Sequence, residues 1–295
     1  EIVFGDWSSD VCSSDLITAV SAVFGLDMPL TDMASASLEG AILALWPILI
    51  VITAAIFTYN LSLYTKSMDT IKKMLTEISD DKRIQVLILA WGFGGFLEAV
   101  AGYGTAVAIP VGILLVLGVE PVLAAVICLV ANTAPTAFGA VGVPVMTLAS
   151  VTGLDERILG YFVSMQLLAI IIIIPFVLVR LISGSFKGIK GVAGITFASG
   201  LAYAVPQIFI SKYIGSQLPA LVGSILSLAV TIYIAKKMKG TTSKKSEVSV
   251  REAFAAWSPY IFTFILVLLS SPVFPIISST LGHFKSSFID RKSVV

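Results

Sequence analysis

The stretch "ILGYFVSMQLLAIIIIIPFVLV", residues 158–179, contains no charged side chain. As a helix rising about 1.5 Å per residue it reaches about 33 Å, enough to cross the roughly 30 Å hydrocarbon layer of a bilayer. Inside lipid every backbone N–H and C=O must be paired within the protein, which restricts a crossing segment to a helix or a closed barrel. An unbroken apolar run, with no polar/apolar alternation, selects the helix. Comparable runs occupy 41–64, 192–211, 218–235 and 253–271, and a shorter one 17–30. Only 13% of residues are charged, about half of what soluble domains carry. The expected class is therefore an all-α polytopic membrane protein whose first partner is the lipid bilayer.

Charge placement predicts the topology. Three loops are basic: 66–83 with Lys66, Lys72, Lys73, Lys82 and Arg83; 180–190 with Arg180, Lys187 and Lys190; and 236–252 with Lys236, Lys237, Lys239, Lys244, Lys245 and Arg251. The positive-inside rule puts all three in the cytoplasm. The net charge of +1 gives no reason to expect nucleic acid as a partner. His283 is the only histidine, and Cys12 and Cys128 are far apart. A metal site, a disulfide framework or a His-based nucleophile is hard to assemble from these residues, so neither an enzyme nor a cofactor is expected.

The region 84–151 does not follow the pattern of clean spans. It must make an odd number of net crossings, because it starts at a basic loop and ends at the opposite side near Asp155. Its apolar runs, 106–117 and 122–131, are too short for full spans and suit half-helices or re-entrant segments. Before the first of these lies "WGFGGFLEAVAGYGT", which interrupts the apolar 84–90, and after the second lies "NTAPTAFGAVGVPV", both rich in Gly or Pro. Non-helical backbone at membrane depth is tolerated where protein or a wet cavity satisfies it. Paired discontinuous helices mark the substrate site of many secondary transporters. Close packing through small residues is the other reading of the same glycines.

Candidate site residues follow from these two breaks. Glu98 is the only carboxylate between Asp81 and Glu120 and lies about 22 Å past Arg83 if helical. It must face protein or water, because lipid exposure costs a few kcal/mol. It either carries a proton or hydrogen-bonds a helix end. Gly102, Tyr103, Gly104 and Thr105 form the first break, and Asn132 and Thr133 open the second. Asn and Thr at such a place either bind a ligand or cap a helix.

The residues "FGGFLEAVAGYGTAVAIPVGILLVLGVEPVLAAVICLVANTAPTAFGAVGVPV" (93–145) resemble the L-lactate permease family of bacterial proton-coupled 2-hydroxy-acid importers. "LEGAILALWPI", "FTYNL", "SDDKRIQ" and "VTGLD" are similar to further landmarks of that family. Tyr103 stands where members often carry Phe, and Ala106 replaces a frequent Pro. The resemblance implies import of L-lactate, glycolate or a related small 2-hydroxy monocarboxylate, with a proton as coupling ion and no other cofactor. It also implies a fragment, since members are about twice as long. "EIVFGDWSSDVCSSDL" (1–16) and "DRKSVV" (290–295) resemble translated sequencing-adapter read-through. They are set aside as non-native, leaving a truncated transporter domain over 17–289 with its broken core at 84–151.

Other classes remain open. Gly102-Tyr103-Gly104 is the centre of a potassium filter, but Val100-Ala101 stand where such a filter needs Thr-Val. A cation-channel-like or other non-enzymatic subunit, or an ion-coupled carrier of a different organic anion, are the alternatives. The sequence leaves the oligomeric state open.

Overall fold

A computed structural model describes residues 7–25, 27–43, 45, 49–100, 102, 105–239, 249–270 and 274. Among them there are helices and no strand, and five helical segments are long and apolar enough to cross a membrane. Residues 1–53 and 54–295 form two separate units. The first holds α1 (Trp7–Gly25) and α2 (Leu30–Leu43), joined by a tight turn in which Met28 N–H donates to Ala22 O. Residues 7–16, set aside above, lie inside α1, whereas 290–295 fall outside the described residues. The expected span 41–64 is divided between the end of α2 and α3 (Leu49–Tyr64); positions 44 and 46–48 between them lie outside the description.

The second unit is organised around one helix. It begins as α5 (Lys82–Val86), continues as a π-helical stretch (Leu87–Phe93) and ends as α6 (Gly94–Val100). Together these make a 19-residue span that is 94% buried against protein. "WGFGG" therefore does not break the chain, contrary to its reading as an interruption. Its glycines are helical and admit neighbours: a Cβ on Gly92 would lie 3.2 Å from Leu228 Cα, and one on Gly95 3.2 Å from a Tyr203 ring carbon. The break comes about two turns later, at Gly102.

Around this centre the chain weaves up and down. α7 (Thr105–Val116) returns antiparallel to α6, and the turn after it reaches the starting end, where Lys82 Nζ donates to Gly118 O at 3.1 Å. α8 (Pro121–Asn132) climbs again, capped by Glu120, whose carboxylate accepts from Val122 and Leu123 N–H. α9 (Gly139–Thr152) completes that crossing after a second break. The net result is one crossing, as loop charge requires. Three long helices follow: α10 (Glu156–Ser183), α11 (Ala193–Tyr213) and α12 (Pro219–Lys239).

The basic loops share one end. Arg83 pairs with Asp81 at 2.6 Å and donates to Gly188 O at 2.6 Å, tying the first basic loop to the second. The Arg83 guanidinium holds the Asp81 carboxyl below the usual carboxylate range. α4 (Ser67–Thr76), an amphipathic helix of the first loop, buries Met68, Ile71 and Leu75 and packs on α13 (Val250–Ser270), which leaves the third.

Candidate functional site

Two breaks in the helical path meet at one place. The first follows α6: Gly102 sits at φ +60 and its N–H donates to Leu97 O at 3.2 Å, a bond of the kind that closes helix C-termini. The second runs from Pro135 through a single 3₁₀ turn into Ala140, Val141 and Gly142, at φ 43, 62 and 80. Left-handed φ costs L-residues energy, most of all a β-branched one such as Val141. Such strain persists only where surrounding contacts impose it, and it clusters at functional sites. Here the contacts are tight. A Cβ on Gly102 would lie 3.0 Å from Ala140 Cβ, and one on Gly142 would overlap the Ser216 backbone between α11 and α12.

Glu98 lies in this junction. It is 5% exposed, although it sits in an apolar segment that crosses the bundle. A Cβ on Gly139 would collide with Glu98 Oε1, so the absence of a side chain at 139 is what makes room for the carboxyl. Asn132, the last residue of α8, brings its side-chain amide within hydrogen-bonding reach of Glu98. One oxygen on each side, Glu98 Oε2 and Asn132 Oδ1, is buried without a hydrogen-bond partner. No Lys or Arg occurs between Arg83 and Arg157 in the sequence. The carboxyl therefore sits beside an amide in close packing, without a cation from its own broken region.

The remaining sequence candidates divide. Thr133 is exposed and its hydroxyl donates to Val130 O at 2.7 Å, so it closes α8 while Asn132 turns to Glu98. Gly102 forms the turn itself. Thr105 opens α7, with its side chain outside the description, and Tyr103 and Gly104 fall outside the described residues.

Sequence reasoning missed three buried polar side chains on the long helices. Tyr203 on α11 is fully buried, its ring 5.0 Å from that of Trp91, and its hydroxyl lies beside Gly95, three residues before Glu98. Gln207, one turn further on, and Ser164 on α10 are also fully buried. The available signal was a polar side chain every fourth residue, Ser199, Tyr203, Gln207 and Ser211, within an otherwise apolar span. On the far side of the second break Glu156 accepts hydrogen bonds from Ser216 N–H and its hydroxyl, fixing the turn that fills the space beside Gly142.

The comparisons with known proteins bear on the whole chain. The family model described as L-lactate permease matches residues 10–290. An L-lactate permease of Streptococcus iniae is 49% identical over 90% of this chain and 57% of its own length. The glycolate permease GlcA of Escherichia coli (strain K12) is 35% identical over 86% of this chain and 49% of its own. An L-lactate permease of Bacillus subtilis (strain 168) is 32% identical over 94% and 52%. The chain thus spans about half the length of these relatives. No solved structure matches it. The chain is a multi-pass protein of the bacterial cytoplasmic membrane and belongs to the L-lactate permease family.

Proposed function

We propose that the full-length protein is a secondary transporter that imports L-lactate or a related small 2-hydroxy monocarboxylate, such as glycolate, together with a proton carried by Glu98. The observation that carries this reading is the Glu98 carboxyl: 5% exposed, set between two helix breaks, with one oxygen unpartnered beside an equally unpartnered amide oxygen of Asn132. A stable packing residue in a membrane interior is rarely a lone carboxyl; such groups mark proton relays and substrate paths. The names of the relatives, lactate and glycolate permeases, support the substrate class.

The coupling logic is electrostatic. Two like charges about 4 Å apart repel by about 4 kcal/mol at an effective dielectric of 20. An ionised Glu98 therefore keeps a carboxylate substrate out, whereas a protonated one admits it. Once the proton departs to the inner side, the anion is expelled in the same direction. Neutral donors such as the Asn132 amide and backbone N–H groups at the breaks orient the substrate without trapping it.

The test is Glu98→Gln in the full-length protein, reconstituted in vesicles. The amide mimics the protonated carboxyl, so lactate counterflow should persist while accumulation driven by a pH gradient disappears. Normal pH-driven accumulation by a well-inserted Glu98→Gln protein removes Glu98 from the mechanism.

A further inference from the structure

Tyr203, Gln207 and Ser164 raise a question that the coupling role of Glu98 does not answer. Each is 0% exposed, and Tyr203 Oη, Ser164 Oγ and both amide atoms of Gln207 have no hydrogen-bond partner. An unsatisfied buried polar group costs about 1–3 kcal/mol, and here four such atoms belong to two helices packed on each other, α10 and α11. Elsewhere on the same seam the hydroxyls are satisfied. Thr196 donates to Val192 O at 2.8 Å, Ser199 and Ser227 share a bond at 3.0 Å, and Ser211 donates to Ile208 O at 3.0 Å.

Helix register brings the three together with Glu98. A Cβ on Gly160 would lie 3.8 Å from Ser211 Cβ, and one on Gly200 3.2 Å from Ile172 Cα. These two contacts fix α10 and α11 antiparallel, with Ser164 opposite Gln207. On the other side, a Cβ on Gly95 would lie 3.5 Å from Tyr203 Oη. Gly95 precedes Glu98 by three residues on the same helix face, and Gln207 follows Tyr203 by one turn in the parallel direction. Gln207 is thus level with Glu98.

We propose that Gln207, with Ser164 and Tyr203 beside it, reads the 2-hydroxyl group of the transported acid. The inference rests on the transport reading above and adds the element of the site that sets its specificity. The chemistry selects the ligand. A carboxylate only accepts hydrogen bonds, so a simple monocarboxylate satisfies the Gln207 NH₂ and the Tyr203 hydroxyl but leaves Gln207 Oε1 bare. A 2-oxo acid has the same defect. A 2-hydroxyl both donates and accepts, and it alone fills the amide oxygen while taking a bond from Ser164 or Tyr203. Sites built to pair a substrate hydroxyl reject the analogue that lacks it, because their own polar groups are then left unpaired.

The experiment uses the full-length protein in vesicles and measures inhibition of labelled L-lactate counterflow by unlabelled lactate, propionate and pyruvate. Lactate should outcompete propionate and pyruvate by about tenfold or more in the unmodified protein. Gln207→Leu should shrink that ratio to within about threefold by weakening lactate and sparing propionate. Ser164→Ala, a smaller change, should shift it in the same direction and decides the matter if Gln207→Leu fails to insert. An unchanged lactate-to-propionate ratio in the inserted variants overturns the proposal and leaves the three residues as structural. Counterflow serves as the readout because it survives loss of proton coupling, so failure of the Glu98 role leaves this result legible. An unmodified protein that takes up no 2-hydroxy acid overturns both readings at once.

Discussion

Glu156–Ser183 and Lys82–Val100 are both long enough to cross a bilayer, yet 33% of the first is buried against protein and 94% of the second. The first is the more apolar by a wide margin, with five consecutive isoleucines, Ile170 to Ile174, of which Ile170 and Ile173 are exposed. The second carries four glycines or carboxyls in seven positions, Gly92, Gly94, Gly95 and Glu98. Apolarity in a membrane chain reports contact with lipid. A helix shielded on all sides is free to be less apolar, and its small residues then set how closely the shell approaches.

The comparison is most easily broken at the second break, which packs on the central helix. Gly142→Ala forces a Cβ into the Ser216 backbone at φ +80. It should destabilise by more than about 3 kcal/mol, seen as loss of monodisperse protein in detergent. Gly112→Ala on α7, where a Cβ meets nothing within 4 Å, is the matched control and should be neutral or stabilising.

A smaller effect is expected at the contact between the break and the carboxyl. Gly139→Ala pushes against Glu98 Oε1 and should cut pH-driven transport about tenfold or more. Shortening the carboxyl with Glu98→Asp in the same protein should recover part of the loss, a non-additive pair that a double-mutant cycle measures. Additive losses would mean that 139 and 98 act separately.

At the common end of the basic loops the effect should be about 1 kcal/mol or less, since Asp81 and Arg83 are 32% and 29% exposed. Arg83 depresses the Asp81 carboxyl. Folding is therefore favoured by this pair above about pH 4, where Asp81 is ionised also in the unfolded chain, and the contribution is lost as pH falls below that. Asp81→Asn should lower thermal stability at pH 7 and remove that acid dependence. Smallest of all, Ile173→Val on the lipid-facing side of α10 should stay within about 0.5 kcal/mol in the same melting assay. A large loss there would place that face against protein.

The outer helices were legible because lipid imposes a rule that length and composition satisfy directly, as at 158–179. The central helix was not. Glycine signals a break or a close contact with equal force, and only Leu228 and Tyr203, more than 100 residues away, decide in favour of contact at Gly92 and Gly95. Glu98 stood out because an isolated carboxylate in an apolar stretch is costly wherever it points. Asn132 and Thr133 were a matched pair in the sequence; the step of about 100° between consecutive helical residues leaves the first half-buried and the second exposed. Gln207 and Ser164 were hidden for the opposite reason: a single polar residue per turn in a good span reads as ordinary.

The order of the chain gives the buried centre a history. Glu98 is synthesised before every helix that later shields it except those upstream of Lys82. α12, which covers Gly92 and Gly95, follows about 130 residues later, which at about 5–20 residues per second is roughly 6–26 s of translation. For that interval the carboxyl must be sheltered by the insertion machinery or by water at the membrane surface, because lipid would charge a few kcal/mol for it. The hairpin of α7 and α8, made next and ending in the Asn132 amide, is the first shelter the chain itself provides.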